Sequence, residues 1–286
     1  MVKQLTNLFK LRIGIIMTIT AVVALVVTPG QSVPLWQIAV LALTVLMASS
    51  SAGAFNQYYE RDVDHLMERT KSRPFVTGEF SGENPLWLIG INLLLVVGVA
   101  LAAYTLNGLA ALFIFLGAFF YAIVYTVWLK RRSWLNIVIG GASGSFAVLA
   151  GAAVVDPGLG PIPVLLAMVL FLWTPPHFWS LAIAKHADYA AAGVPMLPVV
   201  KGDKAAAKAV LWNAILLVSV SVLPFFFGLG WLYLLGAVSG GGYFIYRAAQ
   251  LAANPDPKTA ITSFLASLVQ LIVLLIFAVL DVMVVL

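Results

Sequence analysis

The sequence predicts an all-α membrane protein that crosses the bilayer nine times and carries a polar site at its cytoplasmic edge. Three observations lead there. Apolar residues make up 62% of the chain and charged residues 9%, with a mean hydropathy of +1.03. A water-exposed surface needs many more charges than that. Apolar runs of about 20 residues, the length that crosses the hydrocarbon layer, recur from one end to the other. With nine runs and the N-terminus inside, all 16 Lys and Arg residues fall on the cytoplasmic side, as the positive-inside rule requires. One run more or fewer would scatter them over both faces.

The first run, 13–27, follows Lys3, Lys10 and Arg12, which hold its start in the cytoplasm. No small-residue cleavage site follows it, so it is expected to be retained as a span. The beginning also lacks the Arg- and Ser-rich character of an organelle transit peptide, which favours a prokaryotic plasma membrane. A turn rich in Pro and Gly leads to run 35–58, which ends in the most polar stretch of the chain. The connection 59–85 brings the chain to run 86–106, a short outer turn, and run 109–129. Lys130, Arg131 and Arg132 then mark the return to the inside. Run 135–155 crosses outward, and Asp156 is the one charge in the outer turns. Run 162–184 carries Pro175-Pro176, which predict a break or kink and freed carbonyls that protein or water must satisfy. After connection 185–208 the chain crosses at 210–229, 231–249 and, beyond 250–261, at 262–286. The two long polar connections follow the second and sixth runs. That offset of four predicts two similar halves, each giving one loop to a shared site in a single integral-membrane domain, 1–286.

Charge and composition also exclude some functions. The net charge of +5 comes from loop positives that set topology, so it does not indicate nucleic-acid binding. With no cysteine there is no disulfide framework, thiolate metal site or thiol nucleophile.

Asn56, Glu60 and Asp64 stand at i, i+4 and i+8 and would form one oxygen-rich stripe on a helix. Three hard oxygen donors suit Mg²⁺, which takes carboxylates together with phosphate oxygens. An ordinary solvated helix end explains Asp62 and Glu68, but not Asn56, which still belongs to an apolar helix. Polar groups there turn towards a bundle interior or cavity. Arg69 and Arg73 follow at i, i+4, and Pro74 ends their helix; guanidinium groups so spaced suit a diphosphate. Lys71, Arg131 and Arg132 read as topology charges, while Lys130 is placed to reach back to the same anion. In the second loop, His177 lies beside the Pro-Pro pair among aromatic residues. An ionisable group inside the membrane is a site candidate by default. His65 and His186 lie in polar loops and carry no such argument. Asp188, one turn after Lys185, pairs with that lysine or faces Asp64 as a further metal ligand.

These stretches resemble the intramembrane prenyltransferase superfamily that includes the quinone-pathway enzymes, and within it the heme-farnesylating branch. The residues carrying the resemblance run from Asn56 to Pro74, from Tyr125 to Arg131, from Asn136 to Gly141, and from Pro176 to Trp179. Asp188-Tyr189 and the stretch Gly193 to Pro198 complete it. The superfamily's first motif usually carries Asp directly after the Asn, and here that place is Gln57. Its second motif usually has three acids; Leu181 and Lys185 stand at two of the places, and Asp188 remains. The resemblance implies farnesyl diphosphate and heme B as substrates within the lipid bilayer, Mg²⁺ as cofactor, and heme O and diphosphate as products. It implies metal ligands Asn56, Glu60, Asp64 and Asp188, and substrate-binding residues Arg69, Arg73, Lys130, Lys185 and Tyr189. Asp64, His177 and Asp188 take the catalytic roles, with His177 either ligating iron or positioning water. A downstream heme-modifying or terminal-oxidase assembly partner is implied as well. The rival readings are prenylation of a quinone-precursor ring and, in another class, a transporter or heme carrier without chemistry. Clustering of polar groups at one edge favours an enzyme over a transporter, whose ion sites lie at the midplane.

Overall fold

The computed structural model describes residues 2–285, in which helices and turns account for the fold and no strand occurs among the described residues. Leu286, the last residue of the predicted ninth run, lies outside them. The short α1 (Val2–Leu8) leads into α2 (Leu11–Val27), with Lys10 between them in the left-handed region at φ 47°. Next come α3 (Leu35–Glu60), α4 (Pro74–Thr77), α5 (Leu86–Thr105) and α6 (Gly108–Phe119). The last continues as a π-helix, Phe120–Leu129. Helices α7 (Asn136–Gly140) and α8 (Ala142–Val155) form one stretch, followed by α9 (Pro161–Ala184), α10 (His186–Ala191) and α11 (Leu197–Lys201). The chain closes with α12 (Asp203–Val222), α13 (Trp231–Ala253) and α14 (Pro257–Val285).

Each predicted apolar run is therefore helical among the described residues. Seven of the helical stretches have the length and apolarity to cross a bilayer. The other two fall short for different reasons. α2 has 17 residues, about 26 Å at 1.5 Å per residue. α13 has 23 residues, but its glycines and polar Ser239, Tyr243, Tyr246 and Arg247 dilute its apolar character.

Local chemistry accounts for several helix ends. Asn107 accepts a hydrogen bond from the Ala110 amide at 2.8 Å and donates to the Ala153 carbonyl at 2.7 Å, capping α6 and tying it to α8. Asp281, on α14, accepts from the Gly230 and Tyr233 amides at 2.5 and 3.2 Å, supplying the cap that the start of α13 lacks in its own sequence. Of the expected break or kink, the break does not occur: α9 is one continuous helix through Pro175-Pro176. The two prolines leave the carbonyls of Phe171 and Leu172 without their usual helical donors, while Thr174 Oγ1 and Ser180 Oγ add second donors to the Leu170 and Pro176 carbonyls on either side.

The bundle holds two large apolar clusters. One draws on α2, α3, α5, α6 and α8, and the other mainly on α9, α12, α13 and α14. α2 contributes to both, through Ala21 and Leu25 to the first and Ala24 and Val27 to the second. Its backbone meets α8 so closely that a Cβ at Gly151 would lie 1.9 Å from the Ala21 carbonyl oxygen. Small residues permit such approaches between membrane helices. A third, smaller cluster joins Met67 of the first polar loop to Tyr189, Val194 and Met196 of the second, so the two loops form one structure at the same end of the bundle.

Candidate active site

The end of α3 and the loop after it build the acidic part of the site. Asn56 and Glu60 are one turn apart on α3, with Asn56 Nδ2 donating to Glu60 Oε2 at 2.9 Å. The helix stops at Glu60, so the stripe does not continue to Asp64 as one α-helix. Asp64 instead lies in a 3₁₀ turn, and Thr70 Oγ1 closes the loop onto its carbonyl at 2.8 Å. Arg73 restores the convergence: its Nη1 is 2.5 Å from Asp64 Oδ2 and 3.8 Å from Glu60 Oε2. Glu60 is fully buried, and a carboxylate there requires partners. Lys130 Nζ, 2.5 Å away, and Asn56 supply them. Burial raises the Asp64 carboxyl above the usual carboxylate range, against the opposing pull of Arg73. Burial lowers the Lys130 ammonium, and Glu60 resists that shift.

Lys130 reaches inward because the end of the α6 stretch is π-helical, with the Lys130 amide bonded to the Tyr125 carbonyl at 2.8 Å. π-Helical turns widen the backbone and recur at functional sites. The same turns aim Thr126 at Asn56, 3.0 Å away, and stack Tyr121 on Tyr125 with centroids 5.6 Å apart. Nothing in the apolar pattern of 109–129 indicates the change of winding.

Lys10 is the functional candidate that reading by topology alone does not single out. It counts as one more inside positive in the sequence, yet its Nζ lies 2.5 Å from Asn56 Oδ1 and 2.9 Å from the Tyr121 hydroxyl. Its stem packs on Gly53, whose missing side chain leaves room for it. Burial pushes the ammonium well below its ordinary value, with Arg73 and other cations pushing the same way and Glu60 opposing.

Lys10, Asn56, Arg73 and Lys130 border a cavity of about 540 Å³ at this end of the bundle, within the range of small-molecule sites. Lys10, Arg69, Arg73 and Lys130 line its polar side, and Tyr121, Tyr125, Ile137, Thr174 and Phe178 its less polar wall. Tyr189 joins them from the second loop. Burial pushes its hydroxyl up, and the positive charge of Arg69 pulls the other way. Lys3 and Arg12 bring the basic residues on the cavity wall to six, while Glu60 and Asp64 are not among the lining residues and meet the wall through Lys130 and Arg73. The surplus positive charge in a partly desolvated cavity is complementary to a multiply charged anion.

Not every expected residue joins this group. Lys185 is exposed, lies outside the cavity wall, and makes no ion pair with Asp188; among the described residues it has none. The neighbouring His186 pairs with Asp203 at 2.7 Å instead. Asp188 is not gathered with Glu60 and Asp64, and no cage of three or more acidic or histidine ligands forms among the described residues. Its Oδ2 is buried without a hydrogen-bond partner. His177 is 7% exposed and sits in the α9–α14 seam rather than on the cavity wall. Its ring stacks between Trp173 and Phe264 at 4.1 and 4.4 Å, and Nδ1 meets Ser267 Oγ at 2.7 Å. Its neighbours Thr174 and Phe178 face the cavity in its place. Replacing His177 with Ala is therefore expected to lower the thermal unfolding temperature through a core cavity, at a cost of about 2–4 kcal/mol. Were His177 an iron ligand, as the resemblance allows, the same variant would instead shift the Soret band of added heme.

A helical bundle with paired polar loops closing a cation-lined, aromatic-walled cavity is the architecture of a membrane-embedded prenyl-transfer protein. The chain belongs to the UbiA prenyltransferase family, whose model matches residues 17–276. It is 55% identical over 273 residues to protoheme IX farnesyltransferase 2 of Paramagnetospirillum magneticum, covering 96% of this chain and 94% of that one. It is 39% identical over 269 residues to the protoheme IX farnesyltransferase of Alkalilimnicola ehrlichii, covering 93% and 87%. The fold also resembles that of a digeranylgeranylglyceryl phosphate synthase, with a TM-score of 0.82 at 18% identity over 98% of both chains. A UbiA homolog from Archaeoglobus fulgidus, solved with DMAPP and Mg²⁺, matches with a TM-score of 0.71 at 18% identity, over 95% of this chain and 99% of that one.

Proposed function

We infer that this protein transfers the farnesyl group of farnesyl diphosphate to a vinyl group of heme B with addition of water, giving heme O and diphosphate. The observation that carries prenyl transfer is the convergence of Lys10, Arg69, Arg73 and Lys130 at one end of a cavity walled by aromatic and apolar side chains. Heme as the acceptor is supported by the near full-length likeness to two protoheme IX farnesyltransferases.

As the bond between farnesyl C1 and the diphosphate oxygen breaks, its electron pair stays with the diphosphate. The four cations are already in place to take up that growing charge, which is where preorganised electrostatics lowers a barrier most. Tyr121 and Tyr125, stacked on each other with Lys10 and Lys130 near their faces, put π-electron density on the cavity wall near the allylic cation left at C1. The vinyl π electrons form the new carbon–carbon bond. Water captures the cation that results beside the porphyrin, and a proton is released. Ile137 and Phe178 limit access of water to C1 before the vinyl group arrives.

Asn56, Glu60 and Asp64 provide a hard-oxygen donor set that fits Mg²⁺, and the structure pairs each of them with a cationic side chain. When bound, Mg²⁺ supplies further charge neutralisation of the diphosphate. Lys10, Lys130 and Arg73 then have the diphosphate oxygens as alternative partners. Asp188, with its unpartnered Oδ2, is the remaining carboxylate on the second loop open to a cation.

The site faces the cytoplasm of a plasma membrane crossed nine times. Because the chain has no cysteine, single cysteines report this directly. Cysteines at Ser32 and Gly158 should react with an impermeant maleimide from outside, and those at Ser81 and Ala191 only from the cytoplasm. A mixed pattern would contradict the topology. The acceptor is tested by supplying farnesyl diphosphate with heme B or with 4-hydroxybenzoate and following diphosphate release. Release with heme B supports the assignment, release with 4-hydroxybenzoate alone supports the quinone-pathway rival, and no release with either supports a carrier.

A further inference from the structure

We propose that Gln57 is a positioning residue that fixes the α1–α2 corner and thereby holds Lys10 in the anion site. This rests on the reading of the cavity as a diphosphate site. Gln57 is 1% exposed, and its Nε2 donates to two main-chain carbonyls at the end of α1, Asn7 at 2.7 Å and Leu8 at 3.3 Å. The last carbonyls of a helix are short of partners; here a side chain from α3 gives Leu8 a donor and Asn7 a second one beside the Lys10 amide.

Two residues further on the chain must reverse. Lys10 adopts φ 47° and ψ 42°, bonds its amide to the Asn7 carbonyl at 3.1 Å, and accepts from the Ile13 and Gly14 amides. A left-handed conformation at a non-glycine residue is uncommon and persists where surrounding contacts enforce it. The enforcing contacts lie on both sides of it. Gln57 fastens the preceding carbonyls, Leu8 is buried among Ala54, Phe75 and Ile91, and Gly53 leaves room for the lysine stem. The outcome is an ammonium delivered to Asn56 and Tyr121 from a segment that begins outside the membrane-spanning helices.

The chemistry at position 57 is specific. The anchor needs two N–H donors on a side chain long enough to reach α1. A carboxylate at the same place has no donor and would set a negative oxygen against two carbonyl oxygens. Gln57 borders the cavity and its Oε1 has no hydrogen-bond partner, but its donor nitrogen is committed to the α1 backbone, and through that bond it sets Lys10.

The test is a double-mutant cycle read as kcat and KM for farnesyl diphosphate in the full-length protein, with unfolding temperatures measured alongside. Lys10→Ala should raise KM about tenfold or more, the worth of one charge-assisted contact. Gln57→Ala and Gln57→Glu should each raise KM similarly while the heme B KM stays within about twofold. In the Lys10→Ala background, Gln57→Ala should add less than about twofold, because residues acting through one contact are non-additive. If Gln57→Ala does not fold, Gln57→Glu and Gln57→Met enter the same cycle. If Lys10→Ala raises KM and the position 57 variants do not, or if the two effects multiply independently, positioning is overturned and the diphosphate reading stands. If Lys10→Ala itself leaves KM unchanged, Lys10 is not a diphosphate ligand and both readings of it fail. Direct titration with inorganic diphosphate should reproduce the same ranking in affinity.

Discussion

Asp64→Asn should reduce turnover by about 10³-fold or more, the scale of several kcal/mol of charge stabilisation at a leaving group. The substitution keeps the shape of the side chain and removes its charge. Arg73 then loses the partner 2.5 Å away that orients it, and a hard-oxygen donor becomes a weaker amide. Residual activity should require more Mg²⁺ than the wild type, while heme binding and expression stay near normal. Wild-type rates at ordinary Mg²⁺ would place the metal elsewhere. Asp64 is buried and paired with Arg73, so some stability is lost as well, and the loss of rate should exceed what that accounts for. The unfolding temperature separates the two.

Arg73→Ala should cost about 10²–10³-fold in kcat/KM. It removes a cation that spans both carboxylates, 2.5 Å from Asp64 and 3.8 Å from Glu60. The two buried acids then repel each other with one fewer counter-charge, so some stability is lost as well. Arg73→Lys should recover charge but little of the rate, because one ammonium cannot hold the planar, two-sided geometry of a guanidinium. Equal activities of the Lys and Arg forms would mean that only net charge matters at this position. Measuring KM for farnesyl diphosphate and for heme B separately assigns the defect, which is expected on the diphosphate side.

Much of this site can be read from the residues, and the unread part has identifiable physical causes. The apolar runs and the one-sided positives define the helices because hydrocarbon penalises charge along the whole length of a span. The spacing of Asn56, Glu60 and Asp64 brings these residues together, although Asp64 arrives by a turn and an arginine contact in place of a continued helix. Lys10 escapes notice because an inside positive at the start of a first span already has a sufficient explanation in topology. Its role depends on a left-handed corner and on a glycine more than forty residues away. The π-helix leaves no mark in hydropathy, since widening the winding changes no residue. His177 is the converse case. Composition places an ionisable ring near the right depth of the membrane, but only packing tells which way it faces, and it faces Trp173 and Phe264. Lys185 is likewise near the site in sequence and turned away from it in space.

The central claim is that the cavity joins a farnesyl group to heme B with loss of diphosphate and gain of water. Mass spectrometry of heme extracted after incubating the purified protein with heme B, farnesyl diphosphate and Mg²⁺ in ¹⁸O-labelled water tests it most directly. Heme O carrying one labelled oxygen, formed in step with released diphosphate, is the expected product. Unchanged heme B in a preparation that releases diphosphate with another acceptor, or that releases none, would contradict it.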